Sequence, residues 1–200
     1  MRQMRLAKRE VKDAAALRAI VEACQVVRIG AVDSEGMFIV PVNFGYEWRD
    51  CSCGCDMGAD ELEPSGFSNA AGERGASVDW GHETGKAARP KLTLYVHSAA
   101  EGRKAEAFLR GCDVAIEMDC DGGSIKGDYS CAYSRAYRSV MGTGRISPVE
   151  NAEEKVRALA LIMEHAAPGA PCEFAKEAVN RVAIFRIDVD DFTGKERRPR

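Results

Sequence analysis

No stretch of this chain approaches the ~18 consecutive apolar residues needed to cross a bilayer. The opening Met1-Arg2-Gln3-Met4-Arg5 leads into further charged residues instead of the apolar core of a secretory signal, so a cytoplasmic protein is expected. A strong charge of either sign is also missing: 28 Lys and Arg stand against 31 Asp and Glu, for a formal net charge of -3. That balance excludes global attraction to nucleic acid or to an anionic membrane, and any anion site must be local. There is no GxGxxG after a strand and no repeated strand–helix unit, which argues against a doubly wound dinucleotide-binding fold. No internal repeat is present.

What is there suffices for one domain. With 200 residues and 46% hydrophobic content the chain can bury a core of its own, and a single domain over 1–200 is expected. The eight cysteines, with no secretory start, read as reduced thiols. Cys24, Cys112 and Cys120 fall in apolar patterns and read as small core residues. Cys51, Cys53 and Cys55 differ, because their C-x-C-x-C spacing is not the C-x2-C of structural zinc. They read as an exposed thiol-rich loop, with a soft-metal or redox site as the alternative, and no metal site is assigned. The triplet opens a Gly-, Ser-, Asp-, Glu- and Ala-rich stretch from about 49 to 90 with little periodicity, read as an insertion between two strands. Trp80 and His82 inside it either fold over a pocket or lie on a solvated surface.

Periodicity places a first helix from about Ala14 to Cys24, capped by Asp13. Strands follow over Val26 to Val32 and Met37 to Tyr46, joined by a hairpin turn at Asp33-Ser34-Glu35-Gly36. Pro41 marks the second as an edge strand, a bulge or a ligand-facing irregularity. After the insertion come a strand from Leu92 to His97, a helix, a strand from Val114 to Cys120, a loop from Asp121 to Ala132, and a long strand from Arg135 to Ile146. Gly142 and Gly144 in that strand mark a bulge or the close approach of a ligand. Asn151 and Glu154 precede a helix carrying Val156, Leu159, Ala160 and Met163; His165 near its end reads as a partner of the helix dipole. A short helix over Glu173 to Asn180, a last strand from Val182 to Val189 and a charged tail from Lys195 to Arg200 complete the chain. Strands outnumber helices and the first two are joined too tightly for a parallel crossover. The expected fold is mainly β: a small antiparallel barrel, closed or partly closed, with peripheral helices.

The segment from Tyr95 to Lys104 carries the strongest chemical signal. Leu92, Leu94 and Val96 alternate with Thr93, Tyr95 and His97, and the strand runs into Ser98-Ala99-Ala100-Glu101, the S-x-x-E of a capping box. The helix so started would turn Ala105, Phe108, Leu109 and Cys112 to one side. Free N–H groups at that start, beside Arg103 and Lys104, favour a bound anion such as a phosphate. An ordinary strand-to-helix junction with solvated charges is the plainer reading. A Cys131–His97 nucleophile is conceivable, but nothing in the spacing selects it.

Four ordered segments carry a resemblance: Ile39 to Tyr46, Leu94 to Lys104, Tyr137 to Arg145, and Phe192 to Arg197. Together the chain resembles the pyridoxamine 5'-phosphate oxidase-like flavin-binding proteins, and within them the nitroimidazole-resistance branch, over nearly everything outside 49–90. The resemblance implies an antiparallel split β-barrel of Greek-key type, forming a homodimer with two FMN sites at the interface. It matches Arg103 and Lys104 to the phosphate-binding basic pair, with Ser98 in reach. Pro41, Val42 and Asn43 match the strand along the isoalloxazine ring, and Arg138 and Ser139 a cofactor-contacting position that comes from the partner subunit in many members. His97 matches a position close to the flavin, where it orients substrate or supplies a proton.

The implied activity is an FMN-dependent oxidoreductase reducing a small electron-poor substrate such as a nitroaromatic, with NADH, NADPH or a partner reductase as electron donor. The alternative is a non-catalytic module that stores or senses flavin or haem. Two departures argue against oxidation of pyridoxamine phosphate itself. Lys195-Glu196-Arg197-Arg198 does not match the basic substrate motif of those oxidases, and the final strand lacks their tryptophan near the flavin.

Overall fold

The computed structural model describes residues 5–50 and 89–199. The Cys51-Cys53-Cys55 triplet, Trp80 and His82 lie outside these. In chain order the elements are β1 (Glu10–Val11), α1 (Ala14–Ala23), β2 (Val27–Asp33), β3 (Gly36–Val42), β4 (Phe44–Arg49), β5 (Lys91–Ser98), α2 (Arg103–Leu109), β6 (Cys112–Ile125), β7 (Ser134–Pro148), α3 (Ala152–Ala166), α4 (Lys176–Arg181) and β8 (Ala183–Arg197). The strands make one antiparallel sheet in the order β3-β2-β6-β7-β8-β5-β4, with β1 added against β8.

The caps of the first and third helices and the hairpin turn act as expected. Asp13 accepts a hydrogen bond from the Ala16 N–H at 2.7 Å, starting α1, and Asn151 accepts from Glu153 and Glu154, starting α3. At the β2–β3 turn Asp33 accepts from the Glu35 N–H, and Gly36 sits at φ 108°, a conformation glycine adopts without steric cost.

Three expectations are corrected. The strand drawn from Met37 to Tyr46 is two: β3 and β4 lie on opposite edges of the sheet, and the chain crosses between them at Asn43. β3 is thus an edge strand, one of the three readings Pro41 allowed. No ladder joins β3 to β4 among the described residues, so the sheet curls without closing into a barrel, and the split falls at Asn43. The charged tail from Lys195 is no tail, because β8 runs on to Arg197 between β1 and β7. Finally, β6 extends to Ile125, through what composition suggested was a loop, with a register shift between Asp121 and Ser124 absorbing Gly122 and Gly123.

Alternation fills the interior. Val27, Ile29 and Ala31 of β2, Leu92, Leu94 and Val96 of β5, and Val114, Ile116 and Met118 of β6 are all buried. Leu17, Ile20 and Val21 of α1 and Ala107 and Phe108 of α2 join them in one core. Gly144 lies at a β7–β8 register shift, where an added Cβ would stand 2.3 Å from the Asp188 carbonyl oxygen. Its close neighbour is the β8 backbone, so this strand glycine marks a bulge. A second, smaller core forms on the opposite face, where Ala158 and Ile162 of α3 cover Tyr95 and Ile184. The buried stripe of α3 therefore runs through Ala158 and Ile162, while Val156 stays 45% exposed. His165, read as a dipole partner, sits closer to the fold than that: its ring nitrogens contact the carbonyl oxygens of Phe44 at 2.8 Å and Glu22 at 3.2 Å, tying α3 to β4 and α1.

Candidate functional site

The expected capping box at Ser98 does not form. Ser98 ends β5 with its hydroxyl donating to the Ala99 carbonyl oxygen at 2.5 Å, and α2 begins at Arg103 behind Gly102, which sits at φ 97° and offers no side-chain cap. The glycine conformation sets the turn, so the Ser98–Glu101 spacing is incidental. The helix is also one turn shorter than drawn: Ala105, Ala107 and Phe108 are buried, Leu109 is 48% exposed, and Cys112 already belongs to β6.

The two cations of this junction have different surroundings. Arg103 donates to both carboxylate oxygens of Asp33, from Nε at 2.7 Å and Nη2 at 2.9 Å, and Nη2 also donates to the Gly36 carbonyl oxygen at 3.2 Å. Its guanidinium lies 4.8 Å from the centroid of the Phe38 ring. Lys104 makes no ion pair with a described residue. Sequence reasoning missed Asp33 as a partner, since only the β2–β3 turn carries it to α2.

Hydrogen bonds from Arg103, with help from the Glu35 N–H, hold the Asp33 carboxyl at a pKa of about 2. A depressed carboxylate stabilises the fold above its unfolded pKa, near 4, and that contribution disappears as pH falls through about 2. Asp33→Asn is therefore expected to lower the Tm at pH 7, with the gap from the parent protein narrowing between pH 4 and pH 2. A gap that stayed constant through that range would mean the ion pair contributes nothing.

The other predicted site residues fall into two places. The β4–β5 ladder ends at Phe44 opposite Val96, which sets Asn43 and His97 side by side at the split. Both are exposed, and neither side chain bonds to a described residue. Pro41 is exposed on β3 and Val42 half-buried, opposite Arg28 and Val27. Arg138 and Ser139 are elsewhere on β7, opposite Cys120 and Asp119 of β6 and Glu196 and Lys195 of β8. Ser98, by contrast, pairs with Ala183 at the other end of β8. Arg103 is anchored at the turn end of β2, roughly 25 Å along the strands from the row of Arg138, at about 3.3 Å per residue. One chain does not bring Arg138 and Ser139 to Arg103 and Lys104.

The Cys131–His97 pairing is removed by the same registers. Cys131 lies in the 3₁₀ turn Ser130–Ala132 before β7, whereas His97 pairs with Ile184, beside the far end of β7. No group of three or more His, Cys, Asp or Glu residues is arranged to hold a metal among the described residues. None of the described helices is long and apolar enough to cross a membrane.

An antiparallel sheet split between two sequence-adjacent edge strands, with a basic helix start anchored at the other end of β3 from the split, defines a class of split-barrel folds. The family model described as pyridoxamine 5'-phosphate oxidase matches residues 86–196, and the chain belongs to that family. Among solved structures it is similar to a putative 5-nitroimidazole antibiotic resistance protein from Bacteroides thetaiotaomicron VPI-5482, at 26% identity, covering 94% of this chain and 86% of that one with a TM-score of 0.63. Two more distant structures share the fold. The flavocytochrome Anf3 from Azotobacter vinelandii has 15% identity over 98% of this chain and 72% of that one, with a TM-score of 0.65. The FAD and heme binding protein from Mycobacterium smegmatis has 13% identity over 96% and 76%, also with a TM-score of 0.65. No curated protein matches the chain.

Proposed function

We propose that this protein is an FMN-dependent oxidoreductase that works as a homodimer and reduces a small electron-poor substrate such as a nitroaromatic compound. The observation that carries the reading is the split at Asn43, where an exposed amide and an exposed imidazole lie side by side, in a family fold whose basic helix start is held at the other end of β3. Similarity along 94% of the chain to the Bacteroides protein supports the choice of substrate class.

The residues present fit a phosphorylated flavin. Lys104 has an ammonium without an ion-pair partner among the described residues, and Arg103 keeps its Nη1 edge beyond the two nitrogens given to Asp33. These would hold the phosphate, while Asn43 and the backbone around Pro41 and Val42 would address the polar edge of the ring system. When bound, the flavin supplies hydride or single-electron transfer, with NADH, NADPH or a partner reductase as the source of electrons. The protein then binds, orients and screens, and a ring nitrogen of His97 would hold a proton for the substrate.

The homodimer is supported by an uncovered apolar face. Val32 and Met37 pair across β2–β3 and are 63% and 86% exposed; Ile39 is 64% and Met141 59% exposed on the same outward side. Isolated soluble chains rarely leave such a patch to water, and a second copy covers it with matching apolar surface. The same pairing lets Arg138 and Ser139 of one copy complete the site of the other.

The test is an absorbance spectrum of the purified protein after addition of FMN and desalting, followed by anaerobic NADH or NADPH and a nitroaromatic. Retained flavin that is reduced and then reoxidised by the substrate is expected. Retained flavin without turnover would make the protein a binding or sensing module, and no retained flavin would end the proposal. His97→Ala is expected to keep the flavin and to slow substrate turnover by about 10-fold or more, as for loss of a positioned proton donor. Unchanged kinetics would make His97 a surface residue only.

A further inference from the structure

Two thiols that are 96 positions apart in sequence meet inside the fold. The Sγ atoms of Cys24 and Cys120 lie 3.3 Å apart, one at the C-terminal cap of α1 and the other on β6. Cys24 is 1% exposed, whereas Cys120 is only half-buried, opposite Arg138 on β7. A disulfide needs its sulfurs at about 2.05 Å, so closure requires roughly 1.3 Å of movement, within reach of side-chain rotation. The remaining described cysteines have no such neighbour: Cys131 and Cys172 are exposed, and Cys112 begins β6.

We infer that Cys24 and Cys120 form a peroxide-oxidisable dithiol, closing reversibly to a disulfide that staples α1 to β6. The asymmetry of exposure sets the order of events. The Cys120 sulfur attacks one oxygen of a hydroperoxide such as hydrogen peroxide; the O–O bond breaks, water leaves and Cys120 becomes a sulfenic acid. The Cys24 sulfur then attacks Cys120, forming the S–S bond and displacing the hydroxyl, which leaves as water with the Cys24 proton. The protein loses two hydrogens and the peroxide is reduced to two waters. Burial, the contact with Cys120 and the charges of Asp119 and Glu117 push the Cys24 thiol well above the ordinary range, so it waits as a neutral thiol and is not the first to react. A long loop in the chain would be closed, which restricts the unfolded ensemble and raises thermal stability.

The experiment treats the full chain with a few equivalents of hydrogen peroxide, alkylates free thiols under denaturing conditions, and maps peptides by mass without reduction. A Cys24–Cys120 peptide short of two hydrogens is expected, reversed by dithiothreitol, together with a reversible rise in Tm of roughly 5–10 °C. Cys120→Ser, at the half-buried position, is expected to fold and to lose that rise. Alkylated Cys24 after oxidation, Cys120 carried on to the sulfinic acid, cross-links confined to other cysteines, or a Tm rise that survives in Cys120→Ser would each overturn the inference.

Discussion

Alanine in place of Gly45 is expected to destabilise the protein by about 3 kcal/mol, lowering the Tm by roughly 6–12 °C. Gly45 lies in β4 directly under α3. A Cβ built there stands 2.5 Å from the Ile162 backbone nitrogen and the Leu161 carbonyl carbon, and 2.8 Å from the Leu161 Cβ. Backbone atoms of a helix cannot rotate away as a side-chain tip can, so α3 must lift as a body. Lifting it opens the second core, where Ala158 and Ile162 cover Tyr95 and Ile184. It also stretches the His165 contacts to Phe44 and Glu22, and the hydrogen bond from the Tyr95 hydroxyl to Glu154 at 3.1 Å. Gly30→Ala provides the contrast, because its added Cβ finds no atom nearer than 3.8 Å and should change stability little. Urea unfolding of both variants measures this, and equal midpoints would mean that α3 does not need glycine beneath it.

Tight packing of this sort was invisible in the sequence, where Gly45 is one of 19 glycines. The legible parts were those fixed by local chemistry: the Asp13 and Asn151 caps, the Asp33–Gly36 turn, and the alternation of β2 and β5. The illegible parts depended on partners distant in the chain. The run from Met37 to Tyr46, apolar on both sides of Asn43, hides the crossing there, because both halves are good strand and only the sheet order separates them. The acidic and basic alternation of Lys195 to Arg197 looks like a solvated tail until β1 and β7 flank it. At the site, the strand-to-helix junction was correctly located, but its capping pattern was misleading, and the Asp33–Arg103 pair could not be read from a spacing of 70 residues. Fold class therefore followed from periodicity, and the candidate site needed the family resemblance.

Lys104→Ala and Arg138→Ala are each expected to weaken FMN binding by about 10- to 100-fold, the range for losing one charge-assisted contact to a phosphorylated ligand, while leaving the fold intact. Neither side chain bonds to a described residue, so removing it orphans no partner. The informative experiment combines them. If Lys104 of one copy and Arg138 of the other serve one flavin, a mixed dimer has one site with both substitutions and one site with neither. Random pairing makes half the dimers mixed, so co-expressed variants should recover about one quarter of the flavin sites at a concentration where each variant alone stays empty. Recovery of that size requires that the site be shared between copies. Two folded, dimeric variants that recover nothing would place Lys104 and Arg138 in the same chain's site, against their separation along β2, β6 and β7, whereas a single variant that keeps its flavin would remove that residue from flavin binding altogether. A variant carrying both substitutions separates these last two outcomes: losses that multiply mean both residues still act on the cofactor, and a loss equal to that of one single variant means only that residue does.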